Sequence, residues 1–107
     1  MKRNIYTVKP AARRDLVMLI DRLHNEAGPE VAGRFVESAR GCQDGIAASP
    51  GHGSPVISRN FRLAGLRKRR VLGFPNILIF YLPEESAISI LRVMHAAQDW
   101  KALLDAD

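Results

Sequence analysis

Five residues in the second half of the chain have the types needed to cut a phosphodiester without a metal. His95 can move a proton, Arg67, Arg69 and Arg92 can hold charge that develops on a phosphorane, and Tyr81 can assist. RNA cleavage of this kind needs a base for the 2′-hydroxyl, an acid for the leaving oxygen and cations around the phosphorus. Two of the arginines belong to an unbroken basic run, Arg67-Lys68-Arg69-Arg70. In a strand, alternation sends Arg67 and Arg69 to one face and Lys68 and Arg70 to the other, so one face of that strand carries something other than core.

The same residues have plainer uses. A charge run is most often solvated surface, or a guard that keeps an edge strand from aggregating. Docking of an acidic partner comes next, and catalysis last. His95, at a strand end, reads first as a hydrogen-bonded structural histidine. Arg92 falls in a strand expected near the sheet centre, where burial requires a carboxylate; Asp99 is the nearest in sequence. Tyr81 reads as core with its hydroxyl at the sheet rim. Trp100 reads as a cap on the core, because aromatic residues are only 7% of the chain and none interleaves the basic run. Cys42 falls on an apolar helix stripe. The histidines His24, His52 and His95 lack metal-ligand spacing, so no metal is expected. Gly51-His52-Gly53 lacks the strand–helix context of a phosphate loop, and no cofactor is expected.

A hairpin must position most of these side chains. Ile77-Leu78-Ile79-Phe80-Tyr81-Leu82 and Ala87-Ile88-Ser89-Ile90-Leu91-Arg92-Val93-Met94-His95 flank the polar break Pro83-Glu84-Glu85-Ser86. The first run is apolar almost throughout, as a strand covered on both faces should be. The basic run precedes it as a third strand over residues 66–72, with a turn at Gly73-Phe74-Pro75-Asn76. Upstream, residues 4–8 alternate as a short strand. Pro10 then opens a helix to about Glu26, with Ala12, Leu16, Leu19, Ile20 and Leu23 on one face and Arg13, Arg14, Asp21 and Arg22 largely on the other. Gly28 is expected as a left-handed helix stop. Pro29-Glu30 opens a second helix whose stripe is Ala32, Phe35, Val36, Ala39, Cys42 and Ile46. Residues 49–55 read as loop and 56–62 as ambiguous. Trp100, Leu103 and Leu104 give a short C-terminal helix its apolar side. The order β-α-α-β-β-β-α makes an α+β fold, an antiparallel helical hairpin packed on a small, mostly antiparallel sheet.

Size and charge bound the rest. The chain has 107 residues, one domain over 1–107, with 47% hydrophobic and 25% charged residues, as in ordinary soluble folds. No apolar run approaches a membrane span. The start, Met1-Lys2-Arg3-Asn4, is followed by too short an apolar stretch for a signal peptide, so the cytoplasm is expected. One cysteine excludes an internal disulfide. A formal net charge of +5 points to polyanions or acidic proteins as partners.

The order of elements and several local pieces resemble the RelE/ParE family of toxins from bacterial type II toxin–antitoxin pairs. The pieces are Tyr6 with Ala11-Ala12 and Asp15-Leu16; Phe35 with Ala47-Ala48-Ser49-Pro50-Gly51-His52-Gly53; Leu66-Arg67-Lys68-Arg69-Arg70; Ile79-Phe80-Tyr81; and the closing stretch from Ile90 to Trp100, where Gln98 stands at the family's usual arginine. The resemblance implies an acidic antitoxin, partly disordered when free, but not a target: the RelE branch cleaves mRNA on the ribosome, and the ParE branch is known for poisoning DNA gyrase. Two departures lean toward ParE. The segment 63–70 is short and rich in arginine rather than lysine. The chain also continues beyond the last strand to Asp105-Ala106-Asp107, whose charges would repel ribosomal RNA. The expectation is therefore a ParE-like toxin that binds a cellular target, gyrase first. The alternatives are a ribosome-dependent mRNA endonuclease using His95, Arg92, Arg67, Arg69 and Tyr81, or a decayed toxin that only binds antitoxin. The antitoxin is expected to wrap the helical hairpin and meet Arg67, Lys68, Arg69, Arg70, Arg13 and Arg14.

Overall fold

Proline at the start of each long helix sets the helical part of the chain. In the computed structural model, which describes residues 5–85 and 87–105, α1 spans Pro10–Ala27 and α2 spans Pro29–Ala48. Gly28 closes one helix and opens the next: its N–H donates to the His24 carbonyl at 3.0 Å, and its own carbonyl accepts from Ala32 at 3.2 Å. Its φ is positive, at 93°, as expected of a stop residue, but ψ is an extended 172° rather than helical. That combination reverses the chain in a single residue and is open to glycine at no steric cost.

Among the described residues five strands form one sheet: β1 (Ile5–Val8), β2 (Ser54–Pro55), β3 (Arg67–Val71), β4 (Phe74–Pro83) and β5 (Ala87–His95). Their spatial order is β1-β5-β4-β3-β2, with β1 parallel to β5 and the other pairs antiparallel. A last helix, α3, spans Trp100–Asp105. The expected start of the first strand at Asn4 lies outside the described residues, as do Ser86 of the expected polar break and Ala106 and Asp107.

Two expectations are corrected. Residues 49–55 are not plain loop: Pro50–His52 forms a 3-10 turn, and Ser54 and Pro55 pair with Lys68 and Arg67 as the edge strand β2. A two-residue strand leaves no alternation to read. The turn before β4 sits at Leu72-Gly73, not over 73–76, because Phe74 already pairs with Val71. The register then jumps to Arg70 opposite Leu78, so Pro75 falls in an irregularity where its missing N–H breaks no ladder bond.

The sheet is covered on both faces, which explains the uninterrupted apolar run in β4. On one face Val71, Ile77, Ile79, Tyr81, Ile88, Ile90 and Val93 pack against Ala12, Phe35, Ala39 and Ile46 of the helical hairpin. On the other, Leu66, Leu78, Phe80 and Met94 pack with Val56 and Leu104, with Trp100 and Leu91 at the margin. Strict alternation along β5 would not produce these two sets. Phe80 pairs with Arg92 and Tyr81 with Ile90, so Leu91 is an extra, bulged residue. The bulge resets which side chains face the helices, letting Ile88 and Ile90 share a face with Val93.

Candidate functional site

The basic run is a strand, and its side chains alternate as expected, but each does a different job. Arg67 turns toward the 3-10 turn, where one guanidinium nitrogen donates to the carbonyls of Gly51 (3.1 Å) and Gly53 (2.5 Å). Opposite it on β4, the fully buried Tyr81 donates its hydroxyl to the Pro50 carbonyl at 2.7 Å and accepts from the Gly53 N–H at 3.0 Å. The two side chains pin residues 50–53 against the sheet. Burial raises the Tyr81 phenol above its usual range, while the Gly53 N–H and then the guanidiniums of Arg67 and Arg69 pull against that rise. The hydroxyl therefore stays protonated, as its donation to Pro50 requires. Gly53 has no room for a side chain, because an added Cβ would collide with the Tyr81 hydroxyl.

Arg69 lies along α2, with its guanidinium beside Gly45 and near Cys42. Cys42 is half-buried; its sulfur contacts the Arg70 carbonyl at 3.7 Å, and burial raises the thiol, partly offset by Arg69. On the opposite face the Lys68 ammonium sits 5.8 Å from the centre of the Trp100 ring, a cation–π contact, and that ring packs on Phe80 at 5.2 Å. Trp100 is thus a cap on the second core, with a strand lysine across it. Arg70 is exposed. Lys68, Arg69 and Arg70 line an open cleft of about 490 Å³ with His52, Ser54 and Leu78. Arg13 and Arg14 are exposed on α1, beside a shallow apolar groove formed with Val8, Pro10, Val17 and Met18.

Arg92 corrects an expectation. Its partner is Asp15 of α1, not Asp99: Nε donates to one carboxylate oxygen at 2.7 Å and a terminal nitrogen to the other at 3.0 Å. The Val93 N–H also donates to Asp15, at 2.9 Å. The reason lies in the length of β1, which stops pairing with β5 at Val8 and Ile90. Beyond that point the chain has turned into α1, and Asp15 takes over where a longer strand would have supplied acceptors. The Asp99 carboxylate instead accepts from the Ala102 N–H at the start of α3. Asp15 was legible as an anomaly, since it stands between Ala12 and Leu19 on the apolar stripe and a carboxylate there needs a cation.

His95 closes β5 with its backbone and Nδ1 tied into the turn that follows. Its Nδ1 accepts from the Ala97 N–H at 3.0 Å, its own N–H donates to the Gln98 side chain at 2.8 Å, and its carbonyl accepts from the Gln98 N–H at 3.0 Å. Gln98 therefore works in the turn that leads to α3. The imidazole borders a cleft of about 330 Å³ with Leu19, Leu23, Phe74 and Pro75.

The five residues able to cleave RNA are not brought together. His95 pairs with Ile77 and Arg67 with Tyr81, four residues further along β4, so the histidine and the arginine are separated by about 13 Å along the strand alone. The acid–base group, the Arg92–Asp15 pair and the Arg67–Tyr81 staple occupy separate places. What the geometry does present is cationic surface: Arg70 at the sheet edge and Arg13 and Arg14 on α1.

A helical hairpin on a small mixed sheet with an arginine-bearing strand defines a class of small basic α+β proteins. The model of the ParE toxin of the parDE type II toxin–antitoxin system matches residues 6–100, and the chain belongs to that family. Among solved structures, a chain of the chromosomal ParDE toxin–antitoxin system from P. aeruginosa is similar, with a TM-score of 0.68 at 18% identity, covering 86% of this chain and 95% of the other. No curated protein sequence matches significantly. No helix among the described residues is long and apolar enough to cross a membrane.

Proposed function

We propose that this ParE-family toxin arrests growth by binding a cellular target in the cytoplasm, DNA gyrase in the first instance, and that a cognate acidic antitoxin neutralises it. The observation that carries the reading is the dispersal of the candidate catalytic residues. His95 is tied into a turn, Arg92 is spent on Asp15, and Arg67 with Tyr81 holds a loop. A protein that acts by occupancy needs no assembled acid–base pair, whereas RNA cleavage does. Inhibition of gyrase supercoiling by micromolar purified toxin is the expected result. Unchanged supercoiling removes gyrase as the target. Cuts in a translated message that vanish with His95→Ala would establish the endonuclease in its place.

The antitoxin reading rests on charge. An extended acidic segment lying over α1 meets Arg13 and Arg14, and at the sheet edge it reaches Lys68, Arg69 and Arg70. Arg67 belongs to the same basic strand but is engaged by its own loop. A segment that folds as it binds can cover both places at once.

A further inference from the structure

One side of α1 takes no part in the core. Ala12, Leu16, Leu19 and Leu23 pack inward, and the opposite side of the helix carries Pro10, Arg14, Val17, Met18 and Asp21, all exposed. Val17 is 54% exposed and Met18 69%. Single apolar residues on a surface need no explanation. These two stand at the middle of a charge pattern: Arg14 comes three residues before Val17, and Asp21 three residues after Met18. The two charges are about two helical turns and roughly 10 Å apart along the axis, beyond the spacing at which side chains of one helix pair. Among the described residues neither lies within ion-pair distance of an opposite charge.

The pattern fits itself. When two α1 helices pack antiparallel about a two-fold axis between Val17 and Met18, Arg14 of one copy faces Asp21 of the other. The symmetry makes that pair twice and brings the apolar residues together at the axis. The flanking cations do not oppose this arrangement. Arg13 and Arg22 are about two and a half turns apart, so they fall on opposite flanks of the stripe, and Arg22 is paired with Glu26 at 3.1 Å. Because the stripe lies opposite the buried side of α1, it is the outermost part of the helix, and a second helix meets it first.

An acidic segment accounts for less of this face. Arg14 attracts it and Asp21 repels it, whereas a second copy uses both charges as well as the apolar pair. We infer that the outer face of α1 is a homodimer interface, occupied by a second copy of this chain in antiparallel register centred between Val17 and Met18. The dimer does not depend on the antitoxin reading; where both hold, antitoxin and second copy compete for Arg14.

Sedimentation equilibrium of the purified full chain tests the register. The wild type is expected to reach twice the chain mass at high micromolar concentration. Arg14→Asp sets carboxylate against carboxylate across the axis, and Asp21→Arg sets cation against cation, so each variant alone should dimerise at least about tenfold more weakly. Mixed in equal amounts, the two variants regain opposite charges at both pairs, and dimers should return at the wild-type affinity. That recovery also shows that both variants are folded. A wild type that stays monomeric overturns the inference. So does a wild-type dimer that either reversal leaves intact, or a mixture as weak as its components. A monomeric wild type whose co-purified antitoxin is lost on Arg14→Asp assigns this face to the antitoxin, and overturns the dimer. None of these readouts measures growth arrest, so failure here leaves the toxin reading standing.

Discussion

Arg92 shows how much a single side chain's meaning depends on its partner. Read by itself it is an anion-binding group; bound to Asp15 it is a fastener between α1 and β5. Both side chains are about one-sixth exposed or less, so the pair is shielded from water. Breaking such a pair from one side leaves an uncompensated charge and costs roughly 3–5 kcal/mol. Asp15→Ala is expected to lower the urea-unfolding free energy by about that amount, whereas Asp99→Ala should cost about 1 kcal/mol, the size of a lost helix cap. Equal effects would mean that the Asp15 bridge contributes no more than a cap. Tyr81→Phe removes the donor to Pro50 and the acceptor for Gly53, and should cost about 1–3 kcal/mol. Because the folded phenol is raised above the free value of 10.0, the fold holds its proton more tightly than the unfolded chain does. Its contribution to stability is complete below that value and declines as pH rises through it toward the folded phenol's own titration. Chemical unfolding from pH 9 upward should therefore show a falling limb that Tyr81→Phe makes shallower.

Among the elements, the short ones decide where function can sit. β2 has only two residues, yet with the Arg67 and Tyr81 bonds it fixes the 50–53 turn. Gly53→Ala places a methyl group where the Tyr81 hydroxyl lies. Amide exchange in residues 50–55 should then quicken at least about tenfold while α1 and α2 keep their protection, since local opening depends on local contacts. Uniform acceleration across the chain would show that the staple supports the whole fold. The bulge at Leu91 acts on a longer range: one extra residue lets Val93 face the hairpin and leaves Met94 for the second core.

At the scale of the whole molecule, a net charge of +5 is spread over separate surfaces. Arg13 and Arg14 lie on α1, Arg70 at the sheet edge, and Arg59 and Arg62 on the far loop. Arg13→Glu/Arg14→Glu/Arg70→Glu is expected to speed antitoxin dissociation by about tenfold or more, and to flatten its salt dependence, because charge reversal at these positions replaces attraction with repulsion. Surface plasmon resonance over a salt series measures both. An unchanged rate would place the antitoxin elsewhere.

Much of this architecture was readable in one dimension. Both long helices carry a 3.6-residue stripe behind an opening proline, and the last three strands have distinctive apolar or basic runs, so local patterning and chain order were enough for the α+β hairpin-on-sheet plan. The resemblance pointed to the family for the same reason, since it follows order and spacing. Partner choice was another matter. Nothing along the chain couples Asp15 to Arg92, 77 positions away, or Tyr81 to Pro50, because those contacts exist only once β1 has run out and the 50–53 turn has folded back. Periodicity is a property of neighbours and survives in the sequence, whereas the use made of a charge is settled by whichever group packing brings within 3 Å of it.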